Sequence, residues 1–318
     1  MSTNSYLHIF TIITFLTAGC RDKQPTHMLI IEEEKLLNSI PSASGLAIDN
    51  DTAWIVGDDA TSVYRLNLTS FEQQKIPLKG FDAEQYRLPK PIKHDLECAN
   101  LINYNNKQYL LAFGSGSLEP YRDSVLLLNT NDTADQQFIS VQPFYKELQR
   151  LTGTDSTQWN IEGSTLVGDT LIICNRGSNL LISFHADSLM HYLLFAGAPL
   201  PAIDYHKATL PQIEGKEARL SGICTLDDSH LLFSASVEDT PDWVKDGPIL
   251  GSFIGVYSLK EKKVLASHLL RNKQGAIAKE KLESIDIVSK QGGTINCIAM
   301  ADNDNGTSGL FRLKLMMP

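Results

Sequence analysis

The 318-residue chain has no cysteine pair at zinc-ligand spacing, no glycine-rich phosphate loop and no dinucleotide fingerprint. Its Gly114-Ser-Gly-Ser117 run lacks the nucleophile-elbow form and follows no helix signal. No apolar run reaches the roughly 18–20 residues that a bilayer-spanning helix needs. Long amphipathic helices are absent too, and only Phe144–Leu151 reads as one or two turns. Basic residues are in deficit: Lys and Arg number 28 against 37 Asp and Glu, for a net charge of −9. That balance argues against nucleic acid as a partner, because a phosphate backbone needs a basic face. Cysteine is sparse. Cys98, Cys174, Cys224 and Cys297 each lie in a different apolar segment and read as buried thiols acting as small hydrophobes.

What the chain does contain is a repeat. Five apolar segments open on one small or acidic polar residue: Ser44-Gly-Leu-Ala-Ile, Glu97-Cys-Ala-Asn-Leu, Glu162-Gly-Ser-Thr-Leu, Ser221-Gly-Ile-Cys-Thr and Glu283-Ser-Ile-Asp-Ile. Their starts are 53, 65, 59 and 62 residues apart, a period that means an array or a closed propeller. Around each motif, short segments alternate apolar and polar residues and are bounded by Gly, Asn and Asp, as strands are. The last repeat runs out one strand early, while Met28–Glu34 reads as a spare strand before the first. Pairing the two closes the ring and removes the exposed edges. The expected fold is therefore all-β, a five-bladed β-propeller closed by an N-terminal strand, with residues 28–318 as one domain.

Three sets of residues recur in register and are candidate site material. The polar strand starts Ser44, Glu97, Glu162, Ser221 and Glu283 would face the central axis. Converging carboxylates repel one another, and a divalent cation removes that cost; a set of hard oxygen ligands suits Ca2+. Two residues earlier, on the same strand face, stand Ser42, Asp95, Asn160, Arg219 and Lys281. Of these, Asp95, Arg219 and Lys281 are candidates to hold an anionic substrate group beside the cation. The third set closes the second strand of each repeat and includes Asp58-Asp59, Asn175-Arg176-Gly177, Glu238-Asp239 and Asp302-Asn-Asp304. Asp58, Asp59 and Arg176 are the catalytic candidates: an aspartate to position or deprotonate water, and an arginine to offset developing charge. His94 is a further acid or base candidate.

Two resemblances add to this reading. The apolar stretch Leu7 to Gly19, followed by Leu16-Thr-Ala-Gly-Cys20, resembles a bacterial lipoprotein signal with its lipobox. It implies a signal peptide at 1–19, lipidation of Cys20, a polar tether at 20–27, and a lipid-anchored place in the bacterial cell envelope as a periplasmic or outer-membrane lipoprotein. The ring order Ser, Glu, Glu, Ser, Glu resembles that of the calcium-activated nucleotidases, soluble apyrases with five-bladed propellers. Ser44-Gly-Leu with Val56-Gly-Asp58-Asp59 and Val63-Tyr64, Asn175-Arg176-Gly-Ser178, Glu238-Asp239 and Lys281-Leu-Glu283 also look like stretches of that family. The resemblance implies a central Ca2+ held by Ser44, Glu97, Glu162, Ser221 and Glu283. The chain also looks like an uncharacterised family of bacterial lipoprotein propellers. The function expected is calcium-dependent hydrolysis of a small phosphorylated or otherwise anionic substrate. The alternatives are a lactonase- or esterase-like propeller hydrolase and a non-catalytic ligand- or protein-binding propeller.

Overall fold

The structure, a computed structural model, describes residues 28–82, 84–240 and 247–317. The signal and tether segments, including Cys20, lie outside these residues. Among them, twenty strands form five four-stranded antiparallel sheets, each in plain meander order. Blade I comprises Ala43–Asp49, Thr52–Gly57, Ser62–Asn67 and Gln73–Pro77. Blade II comprises Leu96–Tyr104, Lys107–Gly114, Ser124–Asn129 and Gln136–Ser140. Blade III comprises Ile161–Val167, Thr170–Asn175, Leu180–His185 and Ile203–Lys207. Blade IV comprises Arg219–Asp227, His230–Glu238, Ile249–Ser258 and Lys263–Leu269. Blade V takes Leu282–Gln291, Thr294–Asp302 and Ser308–Met316 from the end of the chain, and its outer strand, Met28–Leu37, from the beginning. This is the five-bladed propeller the repeat predicts.

The closing strand pairs antiparallel from Met28↔Met316 to Leu37↔Ser308. Ser308 then fastens the chain to blade I: its Oγ donates to the Ile40 carbonyl at 2.8 Å and accepts from the Ala43 amide at 2.9 Å. Five hydrophobic clusters fill the ring, one at each blade interface. The cluster at the closure joins Leu37, Ile298, Met300 and Leu310 to Leu46, Ile55 and Leu66. Each fully buried side chain of this size contributes about 1.5–3 kcal/mol, so ring closure rests on packing as much as on strand pairing. The four cysteines described are buried and free.

All five inner strands are bulged at the same place. The register skips Ser44, Glu97, Glu162, Ser221 and Glu283, one per blade. A bulge leaves its extra residue out of the ladder and re-aims its side chain. The polar step at each repeat start is thus a bulge residue. In three blades the next residue is glycine, and the reason is close approach. A Cβ on Gly45 would lie 2.8 Å from the backbone carbon of Cys98 in blade II, and one on Gly222 would lie 2.9 Å from the Cα of Ser284 in blade V.

Blade III differs from expectation in its second half. Between its third and fourth strands it inserts the helix Ala186–Leu194, which buries Leu189, Met190 and Leu193. The turns read near Phe144–Leu151 are an eleven-residue helix, Gln142–Thr152, burying Phe144, Tyr145 and Leu148. Both helices add to the cluster between blades II and III. A two-stranded ribbon, Gln212–Ile213 with Lys216–Glu217, precedes blade IV.

Candidate functional site

Backbone hydrogen bonds lace the loops at the end of the propeller where the inner strands begin. The Asp58 amide donates to the Ser42 carbonyl (3.1 Å), Asp95 to Asp58 (2.9 Å), Ser115 to Asp95 (2.9 Å), Ile161 to Ser115 (2.9 Å) and Arg176 to Asn160 (2.8 Å). This bracing carries the second-strand ends of blades I to III to one rim and fixes the side chains they bear. Two polar groupings result.

On the blade I–II side, ligand oxygens of Asp58, Asp95 and Glu97 all lie within 4.8 Å of one another. Asp95 sits at φ +56°, a left-handed conformation that aspartate tolerates, and is 3 % exposed. Its Oδ2 accepts from Arg122 Nη1 at 3.1 Å and from the hydroxyls of Ser115 and Ser117. Lys93 bridges the group, pairing with Asp95 Oδ1 at 2.5 Å and with Asp58. Asp59 turns aside to Arg87, whose Nε and Nη2 reach its Oδ2 at 2.8 and 2.7 Å. The two adjacent aspartates therefore separate: Asp58 faces the axial cluster and Asp59 a rim arginine.

On the blade III–V side, Arg176 is the centre. It is 9 % exposed. Its Nη2 pairs with Glu238 Oε1, and its Nη1 lies 3.5 Å from Glu162 Oε2 and 3.9 Å from Glu283 Oε2. Lys281 reaches Glu283 Oε1 at 3.0 Å and Glu238 Oε1 at 3.6 Å. Asn160 Nδ2 donates to Glu162 Oε1 at 2.6 Å. Asn160 beside Glu162, Lys281 beside Glu283 and Asp95 beside Glu97 are all i, i+2 neighbours, as a shared strand face requires.

The three glutamates of the ring converge, and the two serines serve their own strands. Ser44 Oγ donates to the Leu96 carbonyl at 2.5 Å. Ser221 Oγ lies 3.3 Å from Ser234 Oγ, in a chain of buried serines that reaches Ser252 through Ser236. Arg219 donates to the Gly177 carbonyl at 3.2 Å and lies 3.8 Å from Glu217. His94 packs as a core residue: its ring stacks on Phe138 with centroids 3.7 Å apart, its Nδ1 lies 2.7 Å from Ser124 Oγ, and burial lowers its pKa.

Six carboxylates (Asp58, Asp95, Glu97, Glu162, Glu238 and Glu283) share four basic partners (Lys93, Arg122, Arg176 and Lys281). The excess negative charge shows in the protonation of the acids. Burial, then Asp95, Glu162 and Asp58, raises Glu97 well above the usual carboxylate range. Burial, opposed by Arg176 and reinforced by Glu283, pushes Glu162 from 4.5 to about 7. Asp302, at the rim near Asp58 and Glu283, is pushed up to about 7, chiefly by burial. Glu283 Oε2 and Asp58 Oδ1 are buried with no hydrogen-bond donor. Hard oxygen ligands, unsatisfied lone pairs and an excess of two negative charges fit a divalent cation of the calcium type.

Beside Arg176 a cavity of about 440 Å3 opens, lined by Asn160, Glu162, Lys216, Arg219, Glu238 and Lys281 among others. Four of its lining residues are basic and none is aromatic. Reading the sequence did not pick out Lys93, Arg122 or Lys216. Lys93 and Arg122 lie in loops with no repeat to mark them, and Lys216 belongs to the short ribbon.

A model of a protein family described as "Family of unknown function (DUF6929)" matches residues 39–315. No curated protein matches the chain. Among solved structures, the major Malassezia sympodialis allergen Mala s 1 is similar over 89% of this chain and 96% of its own, with 11% identity and a TM-score of 0.51. Myxococcus xanthus glutaminyl cyclase is similar over 92% of this chain and 98% of its own, with 10% identity and a TM-score of 0.48. Kuenenia stuttgartiensis hydrazine synthase is similar over 88% of this chain, with 10% identity and a TM-score of 0.40, and the chain spans 64% of that protein's length. At these identities the likeness is one of fold.

Proposed function

We propose, for a chain that belongs to the DUF6929 family and so inherits no assigned activity from it, that the propeller is a calcium-dependent hydrolase of a small anionic, phosphorylated substrate. The observation that carries this reading is the pairing of two features at one rim: carboxylates in excess of their partners, with buried oxygens lacking donors, and a cavity with four basic residues beside them. The Ser, Glu, Glu, Ser, Glu order of the ring, resembling the calcium-activated nucleotidases, supports it as well.

Asp58, Asp95, Glu97 and Glu283 are the residues that would hold the ion. A bound Ca2+ supplies charge that polarises a phosphoryl oxygen. The chain's own residues do the rest. Arg219 and Lys281 orient the anionic group from the cavity wall. Arg176, fixed by three carboxylates, presents a rigid positive charge where negative charge develops. Asp58, 22% exposed, is placed to accept a proton from water. The lactonase alternative calls for an apolar mouth without cationic side chains, and this cavity is polar and basic.

The test is a hydrolysis screen of phosphate monoesters, nucleotides and lactones with calcium and with chelator. Calcium-dependent phosphate release, lost in Arg176→Met, is expected; calcium-independent turnover, or turnover of lactones alone, contradicts the reading. We also propose that the protein is exported and anchored by a lipid on Cys20. Cys20→Ala should then move it from the membrane fraction to the soluble one, and retention in the membrane fraction would count against the anchor.

A further inference from the structure

A second cavity, of about 310 Å3, lies in the seam between blades III and IV. It is bounded by the turn that joins Val167 to Thr170 and by Asp228, Leu259 and Lys262 of blade IV. These turns stand at the opposite end of the inner strands from the axial site. Val167 is six residues along its strand from Ile161, roughly 20 Å at about 3.3 Å per residue, so this cavity is independent of that site.

Its floor is apolar. Ile172 and Leu181 are 3% and 2% exposed, and Val167 and Leu259 pack on the same cluster. Two polar atoms in the seam have no partner. His206 lines the cavity, and its Nε2 is buried without a hydrogen bond. The ring of Tyr257 stacks on His206 with centroids 5.6 Å apart, and its hydroxyl is buried without one too. Leaving such a group unpaired costs about 1–3 kcal/mol. The wall thus carries a cost that a bound hydrogen-bonding group would remove. Burial, with Lys262 adding to it, lowers the pKa of His206, so the imidazole that faces the cavity is the neutral one. The charged residues of the lining, Asp204, Asp228 and Lys262, are exposed and keep their water. What remains to select a ligand is an apolar floor and one neutral ring nitrogen.

We propose that this cavity binds a small uncharged molecule with one hydroxyl on an apolar body, a phenol or a short alcohol, and that His206 Nε2 is its hydrogen-bond partner. A volume near 300 Å3 is at the lower end of small-molecule sites, which suits a single ring or a chain of a few carbons. Phenol rests on Ile172 and Leu181 and directs its hydroxyl to His206.

Phenol, toluene and benzoate are titrated onto the whole protein and followed by saturation-transfer NMR. Phenol is expected to bind saturably, with toluene and benzoate each weaker by about tenfold, the worth of one hydrogen bond. His206→Phe keeps the stacking on Tyr257 and removes the nitrogen, so it should lower phenol affinity about tenfold and leave toluene unchanged. Thr170→Trp should fill the cavity and abolish binding of both. Melting curves confirm that each variant is folded; if Thr170→Trp is not, the His206→Phe comparison decides alone. Absence of saturable phenol binding, equal affinity for phenol and toluene, tighter binding of benzoate, or indifference to His206→Phe overturns the proposal.

Discussion

Replacing Glu162 by Gln should stabilise the metal-free protein at alkaline pH and leave it unchanged in acid. Glu162 is 5% exposed, and its pKa is pushed from 4.5 to about 7. A carboxyl raised in the folded state binds its proton more tightly there than in the unfolded chain. Its contribution to stability is fully present below about 4.5 and is lost as pH rises through about 7. At about 1.4 kcal/mol per unit of pKa, the loss is about 3 kcal/mol by pH 8. Glutamine is never charged and escapes this loss, while its carbonyl still accepts from Asn160. Urea denaturation in chelator, followed by tryptophan fluorescence, should therefore give superimposable curves at pH 5. At pH 8 the variant should be more stable by up to about 3 kcal/mol. Added calcium should reverse the order, because the ion stabilises the charged wild-type ring. A variant less stable than wild type in chelator at pH 8, or a difference that does not change with pH, would refute the picture of an overcharged ring.

Deleting residues 28–37 should expose the edge of Ser308–Met316 and half of the cluster between blades V and I, giving aggregation on size-exclusion chromatography; a monomer that still unfolds cooperatively would argue that the ring closes without this strand. Gly177→Ala places a Cβ 2.0 Å from the Gln158 carbonyl oxygen, a backbone atom that cannot yield. It should destabilise the protein by about 1–3 kcal/mol and displace the turn that carries Arg176, and unchanged urea stability would contradict this.

The architecture was legible because a propeller repeats one physical requirement. Each inner strand needs a residue that can leave the ladder and face a polar axis, so Ser or Glu recurs at the step. Each then needs a small neighbour where backbones meet across the axis, which explains Gly45, Gly163 and Gly222. The spare strand at the start and the missing one at the end told of ring closure. The bulge itself was not legible, since Ser44 and Glu97 look like ordinary strand starts until their pairing partners are known. The second half of blade III was hidden by the helix Ala186–Leu194, whose apolar residues continue directly from the strand Leu180–His185. In the site, the repeat pointed to Glu97, Glu162 and Glu283. It was silent on what balances them. Lys93 and Arg122 come from loops of no fixed spacing, and the separation of Asp58 from Asp59 depends on Arg87, twenty-eight residues away.

The central claim is that the axial carboxylates hold calcium, and isothermal titration of the chelator-stripped protein tests it most directly. The wild type should bind one Ca2+ per chain with release of protons at pH 7, because Glu97 and Glu162 give them up. Glu97→Gln should abolish the signal, and substitution of exposed Glu72 should leave it intact. A flat titration of the wild type, or binding that Glu97→Gln leaves unchanged, would contradict the account.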